Sequence, residues 1–301
     1  MDKIIETFGL TKYYKDDVVG VEDLSLSVRE GEIYGFLGSN GAGKTTTIRL
    51  LVNLIFPTCG KAKIFGKDAV KHHLDICKDI GYLPSAVRPR RNMTGEEFLD
   101  YMWKLSSASD REYRARLLKK FALSEKDLGR KIKEYSTGMA RKIVIIQTFQ
   151  HRPKLMVMDE PTEGLDPVMQ HTFYELLEEY RDNGGTVFLS SHHLREVELV
   201  CDRAAIIRKG RLVVEEVIKD LMKHTARSVH VTFKEEIEPA LLESDAWKIV
   251  AVDGKTLNAR LTGDIDAVIK LLARFPVADM SLPTAGLQDV FLDYYKEEET
   301  Q

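Results

Sequence analysis

Residues 38–45 read Gly38-Ser39-Asn40-Gly41-Ala42-Gly43-Lys44-Thr45, which fits G-x-x-x-x-G-K-[ST] at every specified position. Glycines at that spacing let the backbone curl so that successive N–H groups point inward and form an anion cradle. The preceding residues, 33–37, are a short apolar run typical of a buried strand. Residues 45–55 are predicted as a helix ended by Pro57 and Gly60. Strand, loop and helix in that order aim the positive end of the helix at the cradle. A glycine-rich turn without a ligand is the plainer alternative, and it does not require the strand and helix on either side. The pattern predicts nucleoside triphosphate binding, with Lys44 reaching the β- and γ-phosphates and the Thr45 hydroxyl ligating Mg2+.

A second apolar run, Lys154 to Met158, ends in two acids, Asp159 and Glu160. Adjacent carboxylates rarely finish a buried strand unless something cationic lies nearby. Asp159 is therefore expected to complete the Mg2+ shell and Glu160 to polarise an attacking water. The alternative is an exposed acidic strand end. Between the two runs, Ser136-Thr137-Gly138-Met139 opens a predicted helix that continues to Gln150. That turn is either an anion site at a helix N-terminus or a simple cap by Ser136 or Thr137.

The rest of the chain supplies the frame. Val21, Leu24, Leu26 and Val28 alternate as in a strand. Residues 86–150 read as a mostly helical insert. Thr94-Gly95-Glu96-Glu97 has capping-box spacing before an amphipathic run to Leu105, and a second helix covers 111–121. Predicted strands at 154–158 and 186–190, separated by a helix at 171–181, argue for a parallel sheet covered on both faces. Near residue 215 the pattern changes. Strand 228–233, helix 235–242, strand 247–252, the Asp253-Gly254 turn, strand 256–261, helix 265–274, strand 277–282 and a closing helix 287–295 follow. That is the split βαβ, ferredoxin-like order. The expected architecture is an α/β nucleotide-binding domain over 1–215, with its helical subdomain at 86–150, and a small α+β domain over 216–301.

Composition narrows the partners. The 301 residues are 44% hydrophobic and 30% charged, with a formal net charge of -3, so disorder is excluded and there is no global basic field. No nucleic-acid partner is expected. Cys59, Cys77 and Cys201 are odd in number and far apart, which predicts reduced thiols. His72-His73 with Cys77 lacks further spaced metal ligands and reads as surface chemistry. Asp2 and Glu6 precede any apolar run, unlike a signal peptide, and no run approaches the roughly 20 residues needed to span a bilayer. Work at a membrane would need another chain to supply the span. Arg88, Arg90 and Arg91 form a basic cluster, either a solvated loop face or a partner contact.

Taken in order, these motifs resemble the nucleotide-binding domain of ATP-binding cassette (ABC) transporters, over roughly residues 3–215. The resemblance implies an ABC-type P-loop NTPase fold and ATP hydrolysis with Mg2+. It identifies Gly38 to Thr46 as Walker A, with Ser39 where proline is common, and Leu155 to Glu160 as Walker B. Tyr135 to Met139 is similar to the signature motif, Gly164-Leu165-Asp166 to the D-loop, and His192 after Ser190-Ser191 to the switch histidine, with His193 as competitor. Tyr14 matches the aromatic that stacks on adenine, and Tyr13 is the fallback. Two departures stand out. The signature keeps Ser136 and Gly138, which touch phosphate in the family, but replaces its first glycine and its glutamine. This variant is similar to those of drug, bacteriocin and sodium exporter cassettes. After Gly81-Tyr82-Leu83-Pro84, Ser85 stands where the family has the Q-loop glutamine, too short for the same reach to Mg2+ without a bridging water.

The resemblance further implies a head-to-tail dimer, a homodimer or a pair with a second cassette, in which each ATP lies between one Walker A and the partner's signature. It implies transmembrane permease subunits docked near the helical insert, and hence a peripheral place on the cytoplasmic side of the cell membrane. Glu160 is then the general base and His192 the sensor of the γ-phosphate. A closing Leu287-Gln288-Asp289-Val290-Phe291 resembles exporter extensions with protomer contacts or regulation. Export is the leading reading; an importer cassette and a soluble ABC ATPase acting on ribosomes or DNA are the alternatives.

Overall fold

A computed structural model describes residues 2–15, 18–86, 89–106, 110–223 and 228–282. The chain divides into two compact units, Met1–Ile218 and Lys219–Gln301.

The first unit is built on a six-stranded sheet. Its order is Arg211–Val217, Arg203–Arg208, Ile33–Leu37, Thr186–Ser191, Leu155–Asp159, Ile80–Leu83. The last five run parallel, and only the outer hairpin pair is antiparallel. Parallel strands are covered on both faces, so they read as continuous apolar runs rather than alternating ones. Ile33–Leu37 and Leu155–Asp159 are buried at every position. Phe188 holds the centre, its ring 5.7 Å from Tyr34 and 5.4 Å from Phe36, all three fully buried.

Register places the site. Leu37 opposes Ser191, Ser190 opposes Asp159, and Met158 opposes Leu83. Four carboxyl-terminal strand ends therefore lie side by side, at the edge where open α/β sheets bind ligands.

A second, antiparallel sheet centres on Lys3–Tyr13, which pairs with Val19–Leu24, Ser27–Arg29 and Cys59–Ile64. The alternation from Val21 to Val28 predicts one strand, but the chain leaves extended pairing at Ser25 and Leu26 and forms two, Val19–Leu24 and Ser27–Arg29. Lys3–Tyr13 escapes periodicity because Gly9, at φ 55, breaks its alternation. The helical insert comprises Gly95–Lys104, Arg111–Lys120, Glu125–Leu128 and Thr137–Phe149. At its start the Thr94 hydroxyl accepts from the Glu97 N–H, and the Thr94 N–H donates to the Glu97 carboxylate. The helix after the glycine loop is Lys44–Leu51, shorter than the expected 45–55, because Asn53 at φ 54 turns the chain before Pro57 is reached.

The second unit is a four-stranded antiparallel sheet ordered Trp247–Asp253, Thr256–Leu261, Ser228–Phe233, Val277–Ser281. That is the split βαβ strand order, with helix Ile265–Leu272 between the last two strands of the sequence. The helix expected over 235–242 is a single 3-10 turn, Pro239–Leu242. Pro239 fits a first helical position, yet only one turn follows it. Trp247 anchors this core beside Leu257, Val268 and Leu272, and its indole N–H donates to the Leu242 carbonyl at 2.7 Å. The predicted helix at 287–295, and Arg88 of the basic cluster, lie outside the described residues. Among those described, no helix is long and apolar enough to cross a membrane.

Removing the central ring tests this packing. Phe188→Ala is expected to lower the unfolding free energy by about 3–5 kcal/mol in urea titration, and a loss under about 1 kcal/mol would contradict a close-packed centre.

Candidate active site

The glycine loop leaves the sheet at Leu37 and enters the helix at Lys44. Gly41 and Gly43 take φ 81 and 111, in the left-handed region that side chains resist. A Cβ at Gly43 would also fall 2.5 Å from the Gly20 carbonyl oxygen, so that turn requires glycine. The curled loop wraps Lys44, whose Nζ donates to the carbonyls of Gly38 (2.6 Å) and Ser39 (3.3 Å). Asn40 is exposed on the same loop, and Ala42 is buried beneath it. The Lys44 ammonium also pairs with Glu160 at 3.2 Å, both side chains largely buried.

Asp159, 1% exposed, is held from two sides. Thr45 Oγ1 donates to its Oδ2 at 2.8 Å and Ser190 Oγ to its Oδ1 at 2.7 Å. A buried carboxylate is tolerated only with such donors. Thr45 and Asp159 together present hard oxygen donors, which fits Mg2+; that ion takes few protein ligands and leaves the rest to water and phosphate.

Glu160 follows with its backbone at φ 47 and its N–H donating to the Ser190 carbonyl at 3.1 Å. One carboxylate oxygen faces Lys44. The other lies 2.8 Å from His192 Nδ1 and accepts from the His192 backbone N–H at 3.3 Å. His193 instead stands at the start of the short helix Leu194–Val200, its ring centroid 3.9 Å from that of His192. Tyr14 shares a hydrogen bond with Thr46 Oγ1 at 3.2 Å and keeps its ring partly exposed beside the loop. Tyr13 turns to Glu22, whose hydrogen bond raises the phenol's pKa.

Other predicted residues stand apart from this cluster. Ser136 is exposed and caps Thr137–Phe149 by accepting from the Met139 N–H at 3.2 Å. Gly138 approaches the Gly164 carbonyl, which a Cβ would meet at 3.5 Å. Asp166 caps Pro167–Asp182, accepting from the Met169 N–H at 3.0 Å. Ser85 and Ser136 line one cavity of about 950 Å³ with Tyr135, Glu163 and Gly164. None of the bonds that join Lys44, Thr45, Asp159, Glu160 and His192 reaches Ser136 or Gly138.

The profile of the family described as ABC transporter matches residues 21–163, from before the glycine loop to just past the acidic strand. The bacitracin transport ATP-binding protein BcrA of Bacillus licheniformis is 34% identical, over 83% of this chain and 81% of its own length. The chain belongs to the ABC transporter family. The daunorubicin/doxorubicin resistance ATP-binding protein DrrA of Streptomyces peucetius is 32% identical over 96% of this chain and 92% of its own, so the similarity runs through both compact units. A solved structure of the ATP-binding subunit of an ABC transporter, 30% identical, aligns with a TM-score of 0.68 over 73% of this chain and 92% of that one. As an ABC ATP-binding subunit the chain is an ATPase, and ATP is its nucleotide.

Sequence reasoning passes over three groups in this ABC subunit. Ser190 enters it only as part of a pattern, yet its hydroxyl holds Asp159. Arg141 is 3% exposed in Thr137–Phe149, a cation four residues before Ile145 on a buried face, and that placement is its one sequence signal. Glu196 is likewise buried, four residues before Val200. Burial pushes its carboxyl up to about 7, although Ser191 Oγ donates to Oε2 at 2.6 Å; the Glu160 charge adds to the rise and His192 opposes it.

Between its ordinary 4.5 and about 7 the folded chain keeps a proton on Glu196 that the unfolded chain has released. Stability from this group therefore falls as pH rises through that window. Glu196→Gln is expected to remove the fall, so its melting temperature gains on the parent between about pH 5 and pH 8. A difference that stays constant across that range would contradict the assignment.

Proposed function

We propose that this ABC ATPase energises export through separate transmembrane permease subunits, working as a head-to-tail pair at the cytoplasmic side of the cell membrane. The two relatives, a bacitracin transport protein and a daunorubicin/doxorubicin resistance protein, support export as the direction. The observation that carries the chemistry is the Glu160 carboxylate held between Lys44 Nζ and His192 Nδ1.

Phosphoryl transfer is mostly positioning and charge neutralisation. Tyr14 stacks on adenine, and the N–H groups of 38–46 cradle the phosphates. ATP draws Lys44 from Glu160 to its β- and γ-phosphates, which frees the carboxylate to take the proton of the attacking water. His192, already on Glu160, keeps that carboxylate aimed and senses the γ-phosphate. Thr45 and Asp159 would hold Mg2+, with Ser85 reaching it only through a water, and the ion would supply charge neutralisation there. Ser136 and Gly138 complete the site of the second copy, and Asp166 lies on the D-loop between copies. Their separation from the Lys44 cluster within one chain supports a site made by two.

Glu160→Gln is expected to retain ATP binding, to slow turnover about 100-fold or more, and to accumulate an ATP-dependent dimer in size-exclusion chromatography. Unchanged turnover, or a variant that stays monomeric at saturating MgATP, would remove Glu160 from this role.

A further inference from the structure

Arg141 is a buried cation to which no carboxylate is bonded among the described residues. Its guanidinium donates to four main-chain carbonyls: Nε to Pro161 at 3.0 Å, one terminal nitrogen to Glu160 at 2.7 Å, and the other to Pro84 at 2.7 Å and Ser85 at 3.2 Å. Burial lowers its pKa to about 10, with the charges of Glu163 and Asp159 opposing the fall, so the group remains cationic at neutral pH. Sinking a charge among neutral acceptors is costly, and a planar fork of five N–H donors is the side chain suited to spanning them.

The backbone it grips is unusual. Glu160 sits at φ 47, a left-handed conformation that a non-glycine residue keeps only where its surroundings over-determine it. On one side its N–H is tied to the Ser190 carbonyl; on the other its carbonyl is tied to Arg141. With both flanking peptides pinned, the Cα–Cβ direction follows, and it points the carboxylate at Lys44 and His192.

We propose that Arg141 is a positioning residue for ATP hydrolysis: its fork fixes the main chain at Glu160 and ties it to the loop at Ser85. The link runs through the carbonyls of residues 84 and 85, so the loop's position reaches Glu160 whatever side chain residue 85 carries. This inference rests on Glu160 acting as the general base.

A double-mutant cycle on the full chain tests it. Arg141→Lys, Glu160→Gln and the combination are compared in single-turnover hydrolysis of MgATP, with the dissociation constant of MgATP measured on each. Arg141→Lys is expected to slow turnover about 10-fold to 100-fold with MgATP affinity within about twofold of the parent. On the Glu160→Gln background the same change is expected to cost less than about twofold more, because the group it positions is already gone. Arg141→Gln, which keeps two donors, is expected to retain more turnover than Arg141→Met, and this pair serves the same cycle if Arg141→Lys does not fold. Losses that multiply across the cycle, equal losses for Arg141→Gln and Arg141→Met, or a loss of MgATP affinity with turnover intact would each overturn the proposal. If Glu160→Gln alone leaves turnover unchanged, the base assignment fails first, which separates the two outcomes.

Discussion

The buried carboxylate of Asp159 is the constraint on which the rest depends. It accepts one hydroxyl from the glycine-loop helix, at Thr45, and one from the neighbouring strand, at Ser190. Those two bonds lock together three elements that reach the same edge of the parallel sheet. With Asp159 fixed, the next residue must leave the strand there, and Glu160 turns out toward Lys44 and His192. Loss of either hydroxyl would leave a buried charge short of a donor, which costs far more than an ordinary surface bond.

The arrangement holds opposite charges in reserve. Lys44 is satisfied by loop carbonyls and by Glu160, so a phosphate must compete for the ammonium and displace the acid. In the proposed mechanism, base and phosphate-binding cation are thus coupled through one contact of 3.2 Å. On that proposal, phosphate binding and release of the base would be a single event, which suits a reaction whose catalysis is mostly electrostatic placement.

Much of this was legible where the chemistry is local. The eight residues from Gly38 to Thr45 carry their own geometry, since Gly41 and Gly43 adopt the φ values that the curl requires. Asp159 and Glu160 announce themselves as acids at the end of an apolar run. Long-range pairings were not legible. Arg141 meets partners 57 residues upstream at Pro84 and 20 downstream at Pro161, and no local pattern encodes those distances. Lys3–Tyr13 is hidden by its glycine kink, and the short turn at Pro239 looks helical by composition but is not continued. The second unit shows the same division: its strands and its Asp253-Gly254 turn follow alternation, while its chemical role has no motif to announce it.

The most direct measurement is the magnesium dependence of ATP binding, taken by calorimetry on the natural chain and on Asp159→Asn. The account predicts that Mg2+ tightens ATP binding to the natural chain and that Asp159→Asn, still folded and still binding metal-free ATP, loses about tenfold or more of that gain. A full magnesium effect in the variant would contradict it, because Asp159 would then hold neither the ion nor the hydroxyl that ligates it.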